Sequence, residues 1–275
     1  MLDLFTQGFI LNALLVSIVM GLLLAYLGVH VVARGIVFVD LALGQISMLG
    51  VAVAGYFERD PTVISILFTM VGAFILSFIK VSDKRLKQEA IIGIVYAFTS
   101  ALTVLLISKS AHGDADISEV LFGSLFTVTE TSLLVMTGIF ALIGLIQFLF
   151  RKSFFQLTDR FVHNQAQEVG VFDLWNFLFY LSIGLAIVLA VRAGGVIPVF
   201  SFIVVPPVAG ILLVRNRGAV VVAALIISVL GSFFGLFFSV RFDFPAGSSI
   251  VAMLGFLFLV AAAVRGFRKN APAGD

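Results

Sequence analysis

Asp40 and Gln45 stand in the stretch VDLALGQIS, residues 39–47, among valine, leucine, alanine, isoleucine and glycine. An aspartate within bilayer hydrocarbon costs about 2.5–3.5 kcal/mol on insertion scales, so such a group faces a cavity, a partner or a substrate path. The plainer alternative puts Asp40 in the first turn of a helix near the interface, where acids are favourable. Five residues at 3.6 per turn separate the two side chains by about 140°, so a regular helix cannot aim both at one ligand. Both are candidates for lining a transport path, with Asp40 also a candidate metal ligand.

Other residues offer less. His112, Asp114 and Asp116 have imidazole and oxygen donors suited to a divalent cation, or they form an ordinary solvated loop. His30, His112 and His163 lie far apart in the chain, and the sequence contains no GxxxxGK[ST] loop, HExxH pair or GxSxG elbow. The expectation is therefore no catalytic residues and no cofactor, with any use of ATP belonging to another chain.

The elements that must position Asp40 and Gln45 are membrane spans. Of 275 residues, 61% are hydrophobic and 12% charged, and mean hydropathy is +1.19, outside the soluble globular range. Apolar runs long enough for helices recur throughout, which excludes an outer-membrane barrel and predicts an all-α polytopic bundle. Runs near 9–33, 36–57, 62–80, 90–108, 131–150, 174–191, 195–214, 219–240 and 248–266 give nine spans, or eight if one short run is re-entrant. The first lacks the basic n-region of a cleaved signal and is read as a permanent span. Basic residues test the count: with the N-terminus outside, thirteen of the seventeen Lys and Arg fall on inward connections, giving an N-out, C-in topology. They are scattered between spans, so nucleic-acid binding has no support, and the absence of cysteine removes disulfides and thiolate ligands.

Within the second span, Gly50 and Ala54 share a face that lets a neighbouring helix approach closely. Pro198, Pro206 and Pro207 in the span 195–214 predict a broken helix, of the kind that transporters, channels and structural bundles all contain. In DFPAGSSIV, residues 243–251, Pro245 and Gly247 predict a turn with a cap from Ser248 or Ser249. A short apolar piece at 120–126 is too short to span. The largest inward connection, about 151–173, is mixed in character, and a helix there would offer a partner protein a handle. No linker divides the chain, so residues 1–275 form one transmembrane domain.

In this setting five stretches resemble the permease subunits of the zinc/manganese-type ABC importers: GVHVVARGIVFVDLALGQISMLGVAVAG (28–55), IIGIVYAFTSALTVLLIS (91–108), EVLFGSLFTVT (119–129), AGGVIPVFSFIVVPPVAGILL (193–213) and DFPAGSSIV. The resemblance implies a homodimeric pore in a bacterial cytoplasmic membrane, bound inside by two ATP-binding cassette ATPase subunits and fed by an extracytoplasmic substrate-binding protein. Its cargo would be zinc, manganese, iron or a metal-related solute. It also implies a coupling surface on NQAQEVGV, with Ala166 and Gly170 matching the family's alanine and glycine and Glu168 between them. The family carries an Asp and a His four residues apart on the second span; in the register of SMLGVAVAG these positions are Leu41 and Gln45, and Asp40 is one residue early. Either a local bulge brings Asp40 round to the face of Gln45, or this permease moves another solute. The alternative outside the family is an ATP-independent secondary transporter or channel.

Overall fold

The protein is described by a computed structural model covering residues 7–79, 86–108, 125–162 and 173–270. His112, Asp114 and Asp116, most of the 120–126 piece, and Ala166, Glu168 and Gly170 lie outside the described residues. Among those described there are ten helices, one short 3-10 turn at Leu125–Thr127, and no strand. The helices are α1 (Gly8–Arg34), α2 (Val39–Tyr56), α3 (Pro61–Phe78), α4 (Gln88–Ile107), α5 (Glu130–Leu149), α6 (Arg151–Val162), α7 (Leu174–Gly194), α8 (Val196–Leu213), α9 (Arg217–Phe242) and α10 (Ala246–Asn270). All but α6 are long and apolar enough to cross a membrane, which makes nine spans rather than eight among the described residues.

Local chemistry sets the ends. Asp60 accepts from the amides of Thr62 (2.7 Å) and Val63 (3.2 Å) ahead of Pro61 at the first position of α3. Those amides, Val63 first, hold its carboxyl below the usual carboxylate range. Thr129, Asp173 and Asn216 cap α5, α7 and α9 in the same way. Gly35 ends α1 at φ +66°, a conformation that costs glycine little, and its amide donates to the carbonyls of Val31 and Val32. The turn before α10 is closed differently from expectation. The Ser239 hydroxyl donates to the Phe244 carbonyl at 2.6 Å and the helix begins at Ala246, so Ser248 and Ser249 lie inside its first turn and do not cap it.

The bundle is two groups of four helices. In one, α1, α8, α9 and α10 pack on one another; in the other, α2 packs on α3, α4 and α7, and α3 on α7. Contacts of α1 with α7 and of α2 with α8 join the groups, and α5 lies against α1. Small residues set the spacing. A side chain at Gly50 would meet the Ser65 backbone of α3 at 2.8 Å, and one at Gly72 would meet Ile46 at 2.7 Å, so the close approach expected on the Gly50 and Ala54 face is made by α3.

The proline expectation is corrected. Helix α8 continues without a break from Val196 to Leu213, with Pro206 and Pro207 inside it. Two prolines deprive the carbonyls four residues earlier, at Phe202 and Ile203, of their amide donors. Packing against α1 accommodates the second: Gly28 lies so close that a Cβ there would run into the Ile203 carbonyl and lie 2.9 Å from Pro207 Cγ. A Cα–H group thus covers a carbonyl that would otherwise face hydrocarbon. Gly28→Ala is expected to destabilise the protein by about 1–3 kcal/mol, the usual cost of overpacking a tight contact. Thermal unfolding in detergent will measure this, and Gly144→Ala, where a Cβ meets open space, should shift the transition little.

Candidate functional site

Helix α2 runs unbroken through residues 39–56, so no bulge brings Asp40 round to Gln45. Asp40, Gly44 and Ser47 fall within about 60° of one another around the helix. That face points into the bundle, because a Cβ at Gly44 would touch Val191 and Ile187 of α7 at 3.8–3.9 Å. Gln45 belongs to a neighbouring stripe with Leu41, Leu49 and Ala52, spanning about 80°. Those three are partly exposed, and Gln45 keeps 8% of its surface.

Asp40 is the only buried acid among the described residues, at 2% exposure. Its Oδ1 accepts from the Leu41 amide at 2.8 Å, but Oδ2 has no hydrogen-bond partner among the described residues, and neither has Ser47 Oγ. Buried polar atoms are nearly always paired, and these two oxygens on one face are among the exceptions, as are polar atoms of Tyr26, His30, Arg34, Gln147 and Ser228. Sequence reasoning singled out Asp40 but not Ser47; the seven-residue spacing was the available signal.

A second polar cluster was missed altogether. At the far end of α1, Arg34 is 9% exposed. Its Nε donates to Thr158 Oγ1 of α6 (3.0 Å) and its Nη1 to Asn176 Oδ1 of α7 (3.4 Å). The guanidinium lies 3.8 Å from the centroid of the Phe179 ring. The Thr158 hydroxyl donates to the Phe154 carbonyl (2.9 Å), so it accepts from Arg34 and also from His30 Nδ1 (2.9 Å), which must therefore carry the proton. Asn176 Nδ2 donates to the Ser77 carbonyl of α3 at 3.0 Å. Gln88, in α4, donates to the Ile79 carbonyl (3.2 Å) and to the Tyr180 hydroxyl (3.0 Å).

The topology gives this cluster a role. Arg34 grips Thr158, on the helix leading into the 163–172 connection, and Asn176, in the helix leading out of it. Gln88 likewise ties the end of α3, at Ile79, and the start of α4 to Tyr180 of α7. Positive charge, read from sequence as loop charge, is here partly structural. Among the described residues there is no group of three His, Cys, Asp or Glu side chains placed to hold a metal ion.

Residues 6–265 match the ABC 3 transport family. The chain is 25% identical over 259 residues to the manganese transport system membrane protein MntC of Halalkalibacterium halodurans, covering 94% of this chain and 88% of that protein. It is 30% identical over 255 residues to the manganese transport system membrane protein MntB of Synechocystis, covering 92% and 82%. Among solved structures, PsaBC from Streptococcus pneumoniae in complex with Fab superposes with a TM-score of 0.78 at 25% identity, covering 94% of this chain and 93% of that one.

Thr158→Val keeps the shape of the side chain but removes the acceptor shared by Arg34 and His30. Leaving buried donors unpaired costs about 1–3 kcal/mol each. A lowered unfolding midpoint in detergent is expected, with Thr158→Ser close to the parent; equal midpoints for the two variants would show that the shared oxygen contributes nothing.

Proposed function

Because this chain belongs to the ABC 3 transport family and is the membrane permease subunit of an ABC transporter, we propose that it forms the import path for divalent manganese. Two copies would form the pore in a bacterial cytoplasmic membrane, N-terminus outside. ATP-binding cassette subunits would hydrolyse ATP inside, and an extracytoplasmic binding protein would deliver the ion. The buried Asp40 carboxylate with its open Oδ2 is the observation that carries this reading.

Donor chemistry favours manganese within the zinc, manganese and iron range. With no bulge in α2, the donors on one face are the Asp40 carboxylate and the Ser47 hydroxyl, oxygens that still suit a hard divalent ion, whereas zinc prefers the imidazole that Gln45 replaces on the neighbouring stripe. Asp40 supplies a carboxyl group beside the path, and Gln45 lines the stripe of α2 that a single protomer leaves partly open. ATP-driven closure of the partner subunits acts on the coupling segment through Ala166, Glu168 and Gly170. Movement passes through α6 and the Thr158 contact to Arg34, and so to α1 and the start of α2, which re-gates the path by alternating access.

Uptake into vesicles containing the reconstituted complex tests the cargo. Manganese uptake is expected to exceed zinc uptake, to fall at least tenfold in Asp40→Ala, and to shift toward zinc in Gln45→His. Unchanged uptake in Asp40→Ala, or transport confined to metal chelates, would overturn the assignment. Glu168→Lys tests the coupling surface separately. Hydrolysis of ATP by the partner subunits should lose its dependence on the permease, and hydrolysis equal to the parent's would remove Glu168 from that surface.

A further inference from the structure

A cavity of about 340 Å³ opens between α1, α6, α8, α9 and α10, away from the α2 face. Its walls include Val29, Val162, Val214 and Val220, and its charged residues are Arg215, Arg217, Arg265 and Asp159. Asp159 pairs with Arg217 at 2.6 Å. Among the described residues no acid pairs with Arg215 or Arg265, so the cavity keeps two unmatched guanidinium groups.

Its height in the bundle is fixed by helix ends. Arg217 is the first residue of α9, Val214 follows the last residue of α8, and Arg265 lies toward the end of α10. Arg268 donates to the Leu213 carbonyl at 3.1 Å and holds the end of α10 over the last turn of α8. At such a level the chain leaves hydrocarbon and meets headgroups. A half-enclosed site with an apolar wall and excess guanidinium charge suits a ligand that joins an anionic head to an apolar body. Guanidinium matches phosphate oxygens in pairs, which an ammonium group does not.

We propose that this cavity binds the phosphate headgroup of an anionic phospholipid from the leaflet at the arginine-rich end of the bundle. A phosphate between Arg215 and Arg265 bridges the α8–α9 turn to α10, and the glycerol and upper acyl chain pack on the valine wall. Asp159 and Thr158 also line the cavity, so the lipid braces α6 against the rest of the bundle. The site depends on neither the cargo nor ATP, and so stands or falls apart from the transport reading.

Native mass spectrometry of the full-length protein in a zwitterionic detergent, titrated with phosphatidylglycerol, phosphatidylcholine or inorganic phosphate, tests it. Phosphatidylglycerol should saturate at one molecule per chain and bind at least tenfold more tightly than phosphatidylcholine. Arg215→Gln with Arg265→Gln should abolish that preference. Ala33→Phe, which fills the cavity without changing charge, should weaken binding at least tenfold, while Arg160→Gln, a basic residue outside the cavity lining, should change it less than twofold. Thermal unfolding without lipid confirms that each variant is folded, and Arg265→Gln alone serves if the double variant is not. Equal binding of the two lipids, parent-like binding by Ala33→Phe, or displacement by millimolar inorganic phosphate would each overturn the proposal, the last in favour of a soluble anion.

Discussion

Hydrocarbon supplies no hydrogen bonds, and the rest of this structure depends on that. Every backbone amide and carbonyl inside the bilayer must find its partner within the protein, so the described chain is helical and its polar side chains turn inward. Ser17, Thr69, Thr99, Thr103, Ser182 and Ser201 each donate to a carbonyl three or four residues earlier in their own helix. The Gly28 contact belongs to the same economy. Two adjacent prolines leave α8 with carbonyls it cannot satisfy, and α1 comes close enough to cover one of them because Gly28 has no side chain.

Against that background two buried polar clusters stand out. Around Arg34, hydrogen bonds and an aromatic face gather α1, α3, α6 and α7 into one joint. Burying a guanidinium without a carboxylate is expensive, and the joint persists because several weak acceptors and a ring share the charge. Pairing is incomplete in both: among the described residues His30 Nε2 and Arg34 Nη2 have no hydrogen-bond partner, and neither have Asp40 Oδ2 and Ser47 Oγ.

The joint also lies close in sequence to Asp40. Arg34 and Asp40 are six residues apart across the turn between α1 and α2, yet no salt bridge joins them. Arg34 is committed to α6 and α7, and Asp40 to the face of α2 toward α7. One short turn therefore separates the Arg34 joint from the start of α2. The cavity lined by Thr158 and Asp159 lies beside α6, which also contributes Thr158 to the joint.

Apolar run lengths and the distribution of Lys and Arg were enough to specify nine helical spans close to their observed limits, because in hydrocarbon helix formation depends on local composition more than on neighbours. The family resemblance was equally legible, carried by five short stretches in order. Asp40 and Gln45 stood out by type alone, and their separation around α2 followed from helix periodicity. Only the tertiary structure decided that Pro206 and Pro207 leave α8 unbroken, since that depends on a glycine 178 residues earlier in the chain. Likewise, Arg34 read as loop charge until α6 and α7 supplied Thr158 and Asn176, more than a hundred residues away. Whether a polar group is paired is a property of what packs against it, and no local pattern carries that information.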